Sequence, residues 1–351
     1  MGTGVAVTSS SRPVDALNQL NEIVTRYCES QMFFAGTSLG VFEELSKGPA
    51  TAGDLARRLG FDEDAGVRLL IGLSQMGLLT RNQDNFANGD VARYLTSSGP
   101  APLMPLLVWG KLFYPMWGHL DDAVREGSPR WRQTFGATQQ DAFVNMYKDP
   151  QSLRNFCGIM SAYSIPEGQI LAETFDYTQC ACVLDVAGGP GCLTIEAGKR
   201  HPHLRGIVMD MPLVCELATE AIAAAGLSNR FIAQPADLLD GPYPEGADVI
   251  TLAWVLHDWN EEHCLRILRN CNAALPVGGH LLIVESVLNP DRSGTPFGTL
   301  MSLHMLVLCE PGARERTEPE YADLLAATGF SVERLVRMGS PRDLLVARKV
   351  S

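Results

Sequence analysis

The amino-acid sequence predicts an α/β protein: a doubly wound sheet in the C-terminal half, preceded by a smaller, mostly helical domain of winged-helix type. Three observations carry this. The apolar run Val183, Leu184, Asp185, Val186 leads directly into the turn Ala187, Gly188, Gly189, Pro190, Gly191. Such a run reads as a strand buried on both faces of a parallel sheet, and the glycines let the backbone turn tightly and approach a ligand. Strand-like runs then alternate with helical patterns to the C-terminus. Before residue 100, two capped helices are followed by a hairpin pattern.

Residues 1–14 are polar and Ser-rich and are expected to be disordered. Residues 15–29 place Leu17, Leu20, Ile23, Val24 and Tyr27 at helical spacing, the mark of an amphipathic helix that packs on a partner surface. Thr51 caps a helix closed by Gly60, a second helix is expected over 64–76, and Leu78, Leu79, Asn85 and Phe86 mark a small hairpin. Residues 15–100 thus form a winged-helix-like domain. A DNA reader needs cations on its second helix, but Asp62, Glu63 and Asp64 open this one and Arg68 is its only basic residue. Association of two chains is the better use of these apolar faces. Residues 101–178 read as helical and aromatic-rich, with Trp109, Phe113, Tyr114, Trp117, Trp131, Phe135, Phe143, Tyr147, Phe156 and Tyr163 expected mostly in the core. From 179 to 351, strands are expected at 183–185, 207–210, 231–233, 249–252, 281–285 and 343–347.

Composition narrows the function. The 351 residues favour two domains, and 46% hydrophobic with 19% charged residues fill ordinary cores. A net charge of −12 without a basic run disfavours nucleic acid. The N-terminus lacks an apolar signal core, and no run of about 18 apolar residues appears, so neither a membrane partner nor export is expected and a cytoplasmic enzyme is. Nine cysteines, without paired CxxC clusters, fit a reducing compartment; Cys180 and Cys182, entering a strand, read as packing.

The glycine turn points to a nucleoside ligand. A dinucleotide fingerprint needs a third glycine where this chain has Thr194. Asp185 near the turn suits a ligand with an ammonium group. Asp210 ends the next strand about twenty residues on, the spacing of a carboxylate that takes ribose hydroxyls. Asp237 follows a third strand, placed to accept from an adenine amino group while Leu238 covers the ring. The plainer reading is that Asp210 and Asp237 cap turns. Asp185, Asp210, Asp237, His257 and Glu285 all follow strands, so they can converge on one crevice.

On the motifs DVAGGPG, MDMP around Asp210, VLHDWNEEHC from Val255 to Cys264, and GARERTEPEY from Gly312 to Tyr321, the chain resembles S-adenosylmethionine-dependent methyltransferases of the caffeate and polyketide O-methyltransferase-like family, over residues 15–348. The resemblance implies a Rossmann-like catalytic domain and an N-terminal domain that makes an intertwined homodimer. It implies that Gly188, Gly189 and Gly191 line the methionine part of S-adenosyl-L-methionine, that Asp210 holds the ribose and Asp237 and Leu238 the adenine; Met211, beside Asp210, is also expected to bind the cofactor. It makes His257 a general base for a hydroxyl of a small-molecule acceptor, with Glu285 and Glu315 orienting the ring beside the substrate. Phe156, Met160 and Tyr163 are expected to line the acceptor pocket. Ala253 stands where the family often has Lys. His263, in a helix bearing Glu261 and Glu262, is expected to be exposed and dispensable.

His304 departs from this pattern. On an apolar helix a histidine is usually a satisfied core residue, but the family places this helix opposite the His257 turn. His257, Asp258 and His304 are therefore expected to complete a metal site for one zinc or iron ion. That constellation resembles the α-keto acid C-methyltransferases. A β-carbon becomes nucleophilic only on enolisation, which a chelated Lewis acid promotes. The leading expectation is a metal-dependent C-methyltransferase acting on a keto acid such as 4-methyl-2-oxopentanoate or phenylpyruvate. The alternatives are an O-methyltransferase of a phenolic metabolite and a cofactor-binding regulator, the last disfavoured by its acidic recognition helix.

Overall fold

The computed structural model describes residues 12–99, 103, 105–139 and 149–351, without the side chains of residues 105–109. The expected disorder of residues 1–11, the core placement of Phe143 and Tyr147, and that of the Trp109 side chain all lie outside the described residues. The chain divides into two compact units at Lys111 and Leu112, inside the 101–178 segment set apart in the sequence.

In the first unit, α1 (Pro13–Ser38) starts two residues before the expected Asp15, because Pro13 occupies the first turn where its missing N–H costs nothing, and runs well past Glu29. Met32, Phe33 and Phe34 pack on the unit's core. The earlier apolar stripe does not: Val14, Leu17, Leu20, Ile23, Val24 and Tyr27 are each more than half exposed. α2 (Val41–Leu45), β1 (Ala50–Thr51) and α3 (Ala52–Leu59) follow. Thr51 accepts from the Asp54 N–H and Gly60 closes α3 in the left-handed conformation, as its cap signals require. α4 (Glu63–Gln75) is capped by Asp62. β2 (Leu79–Asn82) and β3 (Asn85–Asn88) form the hairpin, and β1 joins to give the order β1-β3-β2. Val41, Phe42, Leu55, Leu70, Leu73 and Phe86 close the core.

The unit boundary falls within α5 (Pro105–Trp117), after which come α6 (Leu120–Glu126), α7 (Trp131–Phe135) and the long α8 (Pro150–Thr174). Phe113 and Trp131 are core residues as expected, whereas Tyr114 and Phe135 are exposed. Then β4 (Cys182–Val186), α9 (Cys192–Arg200), β5 (Arg205–Asp210), α10 (Pro212–Ala224), β6 (Phe231–Pro235) and β7 (Val249–Ala253) alternate. α11 (Glu261–Ala274), β8 (His280–Glu285), α12 (Pro296–Leu308), α13 (Glu318–Ala326), β9 (Phe330–Arg337) and β10 (Asp343–Lys349) complete the chain. The seven-stranded sheet has the order β6-β5-β4-β7-β8-β10-β9. Strands β4 to β8 pair in parallel, and β10 lies antiparallel between β8 and β9. β4 is buried at every position, which is why it reads as an unbroken apolar run with one acid.

All nine cysteines are free thiols, with Cys180 and Cys182 buried in packing. Among the described residues, no helix is long and apolar enough to cross a membrane.

Candidate active site

The sheet brings two clusters to the carboxyl ends of its central strands. The first surrounds the turn after β4. Ala187, Gly189 and Gly191 all have positive φ, at 53°, 57° and 79°. A Cβ on Gly188 would lie 2.6 Å from Asp185 Cγ, and one on Gly191 would lie 2.7 Å from Val208 Cγ2, so the turn rests directly on its own strand and on β5. Asp210 ties it to β5: the Gly189 N–H donates to Oδ2 at 2.8 Å and the Met211 N–H to Oδ1 at 2.7 Å. Each carboxylate oxygen keeps lone-pair capacity for a diol, so the residues present fit a bound ribose.

Asp185 is placed differently from its expected role beside an ammonium. It is buried beneath the turn and accepts from Thr194 Oγ1 at 2.9 Å. Burial lifts its pKa to about 7, the Thr194 bond opposing and the charge of Asp210 adding. Thr194 therefore does more than replace a glycine: it anchors the strand's acid. Asp237 is exposed, and its Oδ1 accepts from the Leu239 and Asp240 N–H groups at 2.8 Å, the turn-capping arrangement. Leu238 is half-buried against the core.

The second cluster is built on the tight turn after β7. Trp254 adopts φ 59°, a strained conformation for a large side chain, and the short helix Leu256–Asp258 follows. Glu285, at the end of β8, fixes this turn by accepting from the Val255 and Leu256 N–H groups at 3.0 and 2.9 Å. Arg316 grips its far side, donating to the carbonyls of Leu256 and Trp259 at 2.6 and 2.7 Å. His257 is thereby buried with Nδ1 2.8 Å from Glu315 Oε1 and 3.3 Å from Glu285 Oε2. Its Nε2 stands 3.6 Å from Asp258 Oδ1, whose side chain is 43% exposed. Burial opposes charging of the imidazole, but Glu285, Glu315 and Asp258 outweigh it and carry its pKa up to about 10. Glu285 and Glu315 are almost wholly buried. They hold the base and its turn from behind rather than line a substrate pocket.

His304 does not fit the expected metal set. Its ring stacks on Trp117 and meets Phe113 edge-on at 5.1 Å, and the Trp117 indole N–H donates to Nδ1 at 3.1 Å. An indole only donates, so Nδ1 is the acceptor and the neutral ring carries its proton on Nε2, which leaves no ring lone pair for a metal. Burial, with the neighbouring charge of His257, lowers its pKa to about 4. The ligand atoms that do converge, within 4.8 Å of one another, belong to His257, Glu285 and Glu315. Glu315 Oε1 and Glu285 Oε2 pair with His257 Nδ1, while Glu285 Oε2 and Glu315 Oε2 have no hydrogen-bond partner among the described residues; the expected set of His257, Asp258 and His304 does not fit a resident metal.

Met160 and Phe156 are half-buried on α8, and Tyr163 packs on Trp254 with ring centroids 5.0 Å apart. His263 is half-buried and paired with Glu310 at 2.8 Å rather than exposed, its ring against Trp259. Trp117, Arg316, Trp254, Glu167, Cys309 and Arg342 went unnoticed as site residues. Arg316 lies within the GARERTEPEY motif, whereas the others carry no local signal. The Cys309 thiol donates to Asp258 Oδ1 at 3.3 Å.

Residues 117–331 match the O-methyltransferase domain family and residues 21–98 the O-methyltransferase dimerisation domain. The chain is 34% identical over 330 residues to a 3-hydroxy-5-methyl-1-naphthoate 3-O-methyltransferase of Streptomyces sahachiroi, covering 92% of both. It is 30% identical over 341 residues to a phenazine O-methyltransferase of Lysobacter antibioticus, covering 94% of this chain and 96% of that protein. Human N-acetylserotonin methyltransferase in complex with S-adenosylmethionine superposes with a TM-score of 0.88 at 30% identity, covering 98% of this chain and all (100%) of the other. The relation to α-keto acid C-methyltransferases finds no support among these relatives. With both domain models matched in order along it, the chain belongs to the family of S-adenosylmethionine-dependent O-methyltransferases.

Proposed function

We propose that this enzyme methylates a hydroxyl oxygen of a small aromatic acceptor, with His257 as general base and no metal. The observation that carries this reading is the clasp of Glu315 and Glu285 on His257 Nδ1. With Nδ1 turned toward the buried acids, Nε2 is the ring atom left for a substrate proton. When bound at the glycine turn and Asp210, S-adenosyl-L-methionine supplies an electrophilic methyl group on a sulfonium. The acceptor O–H gives its proton to Nε2 as the oxygen becomes a nucleophile, and the imidazolium so formed is stabilised by the two acids behind it. General-base assistance of this kind contributes about 10²–10⁴-fold. The aromatic class of acceptor follows from the naphthoate and phenazine relatives and from the Trp254 ring beside His257, on which Tyr163 packs.

The exposed stripe of α1 and the match to a dimerisation domain support a homodimer. Incubating the protein with S-adenosylmethionine and a panel of hydroxyarenes, without metal and with a chelator, tests the reaction. Methyl ether formation that disappears in His257→Ala is the expected result.

A further inference from the structure

Arg342 is a buried cation with part of its hydrogen-bonding capacity unused. It lies just before β10, where Asp343 is in register with Glu285 and Ser286 Oγ donates to the Pro341 carbonyl. Its side chain is 1% exposed and its Nη1 donates to Glu167 Oε1 at 2.6 Å; Glu167 is 3% exposed. The other Glu167 oxygen accepts from the Trp254 indole at 3.2 Å. The guanidinium lies over the Trp254 ring, with the Tyr163 and Phe297 rings at 5.7 and 5.9 Å. Nη2 is buried and has no hydrogen-bond partner among the described residues. Leaving a guanidinium N–H unmatched in a low-dielectric site is costly, which argues for a ligand atom.

The position adjoins the reacting centre, since the Trp254 ring also meets His257 edge-on at 6.1 Å. Tyr163 on α8 and Phe297 on α12, whose rings flank the guanidinium, are both half-buried, so the surroundings of Arg342 reach toward solvent. Charge decides the ligand's chemistry. Glu167 already neutralises Arg342, and Glu285 and Glu315 add further negative potential there. A ligand carboxylate would be repelled, whereas a neutral carbonyl oxygen takes one charge-assisted hydrogen bond and adds no charge.

We propose that Nη2 of Arg342 binds a carbonyl oxygen of the acceptor, so that the preferred substrates are hydroxyarenes that also bear a ketone or quinone carbonyl. This rests on the proposed O-methylation for the identity of the ligand as the acceptor. The test is calorimetric binding of 2-hydroxyanthraquinone and 2-hydroxyanthracene to the full-length protein saturated with S-adenosylhomocysteine. The wild type is expected to bind the quinone about 10-fold or more tightly than the hydrocarbon. Arg342→Lys keeps a cation beside Glu167 but loses the second edge, and should abolish that preference while S-adenosylmethionine affinity is unchanged. Four results would overturn the proposal: no preference in the wild type, the same preference in Arg342→Lys, a loss of S-adenosylmethionine affinity in that variant, or tighter binding of 3-hydroxy-2-naphthoate than of the quinone. A separate methylation assay on the same two compounds judges the reaction itself: a quinone preference without methyl ether formation would refute O-methylation and leave the Arg342 contact standing.

Discussion

The Trp117 indole donates to Nδ1 of His304 at 3.1 Å, which puts the proton of the neutral imidazole on Nε2. A ring in that tautomer packs and positions but does not ligate a metal. Replacing it should therefore disturb substrate fit and leave the chemistry intact. His304→Phe is expected to cost less than about tenfold in kcat/KM, the scale of a tolerated core swap. Elemental analysis of the purified wild type should find no stoichiometric zinc or iron. A variant that loses metal and turnover together would restore the metal reading.

As the proposed general base, His257 would act through a neutral ring, and its raised pKa would then govern the pH profile. In the wild type kcat/KM should climb with pH toward about 10, well above the range of an ordinary histidine. Glu315→Gln removes one of the charges that raise it and should move the ascending limb toward neutrality, with a lower plateau because the ring is less firmly oriented. Identical limbs in the two proteins would show that His257 is not the titrating group.

Asp210 joins the glycine turn to β5 through two backbone bonds, and its proposed role is to hold the ribose. Asp210→Asn loses the charge assistance at both oxygens. A charged hydrogen bond contributes about 1.5–3 kcal/mol, so cofactor affinity should fall at least tenfold by calorimetry. Unchanged affinity would remove Asp210 from the cofactor site.

Asp185 makes a prediction about stability. Its folded pKa, about 7, exceeds the ordinary 3.8, so the folded state holds a proton that the unfolded chain releases between those values. The stability this provides is present below about pH 4 and is lost as pH rises to 7. Asp185→Asn should thus be more stable than the wild type at pH 8, by a few kcal/mol at most, with the gap closing toward pH 4. Thermal unfolding at both pH values measures it, and a pH-independent gap would contradict the buried-acid account.

The exposed α1 stripe predicts assembly. Leu20→Glu with Ile23→Glu should shift a sedimenting dimer toward monomer, because both side chains are more than half exposed in the single chain. Dimers that withstand both charges would place the interface elsewhere.

Much of the fold was legible because local signals agreed with tertiary demands. The glycine turn, the Thr51 and Asp62 caps and the buried parallel strands all announce themselves in short windows of sequence. β9 did not, because exposed Glu333 and Arg334 interrupt its apolar alternation and its pairing with β10 shifts register at Val346 and Ala347. At the site, His257 and its two acids were legible as a motif, but their arrangement was not. Glu285 and Glu315 come from different segments and meet only in the folded chain, behind the ring. His304 misled for a related reason: its neighbours Trp117 and Phe113 lie far away in sequence, so nothing local shows that its Nδ1 is already engaged. The Arg342 and Glu167 pair, 175 residues apart, is invisible to any short-range pattern.

The proposed reaction is oxygen methylation at a metal-free, His257-based site. Its most direct test is the fate of a CD₃ group from labelled S-adenosylmethionine, followed by mass spectrometry and NMR in chelator-treated protein offered a hydroxyarene and phenylpyruvate together. Label is expected only in an aryl methyl ether, with none formed by His257→Ala. Label on the β-carbon of phenylpyruvate, or ether formation that requires added metal, would contradict it.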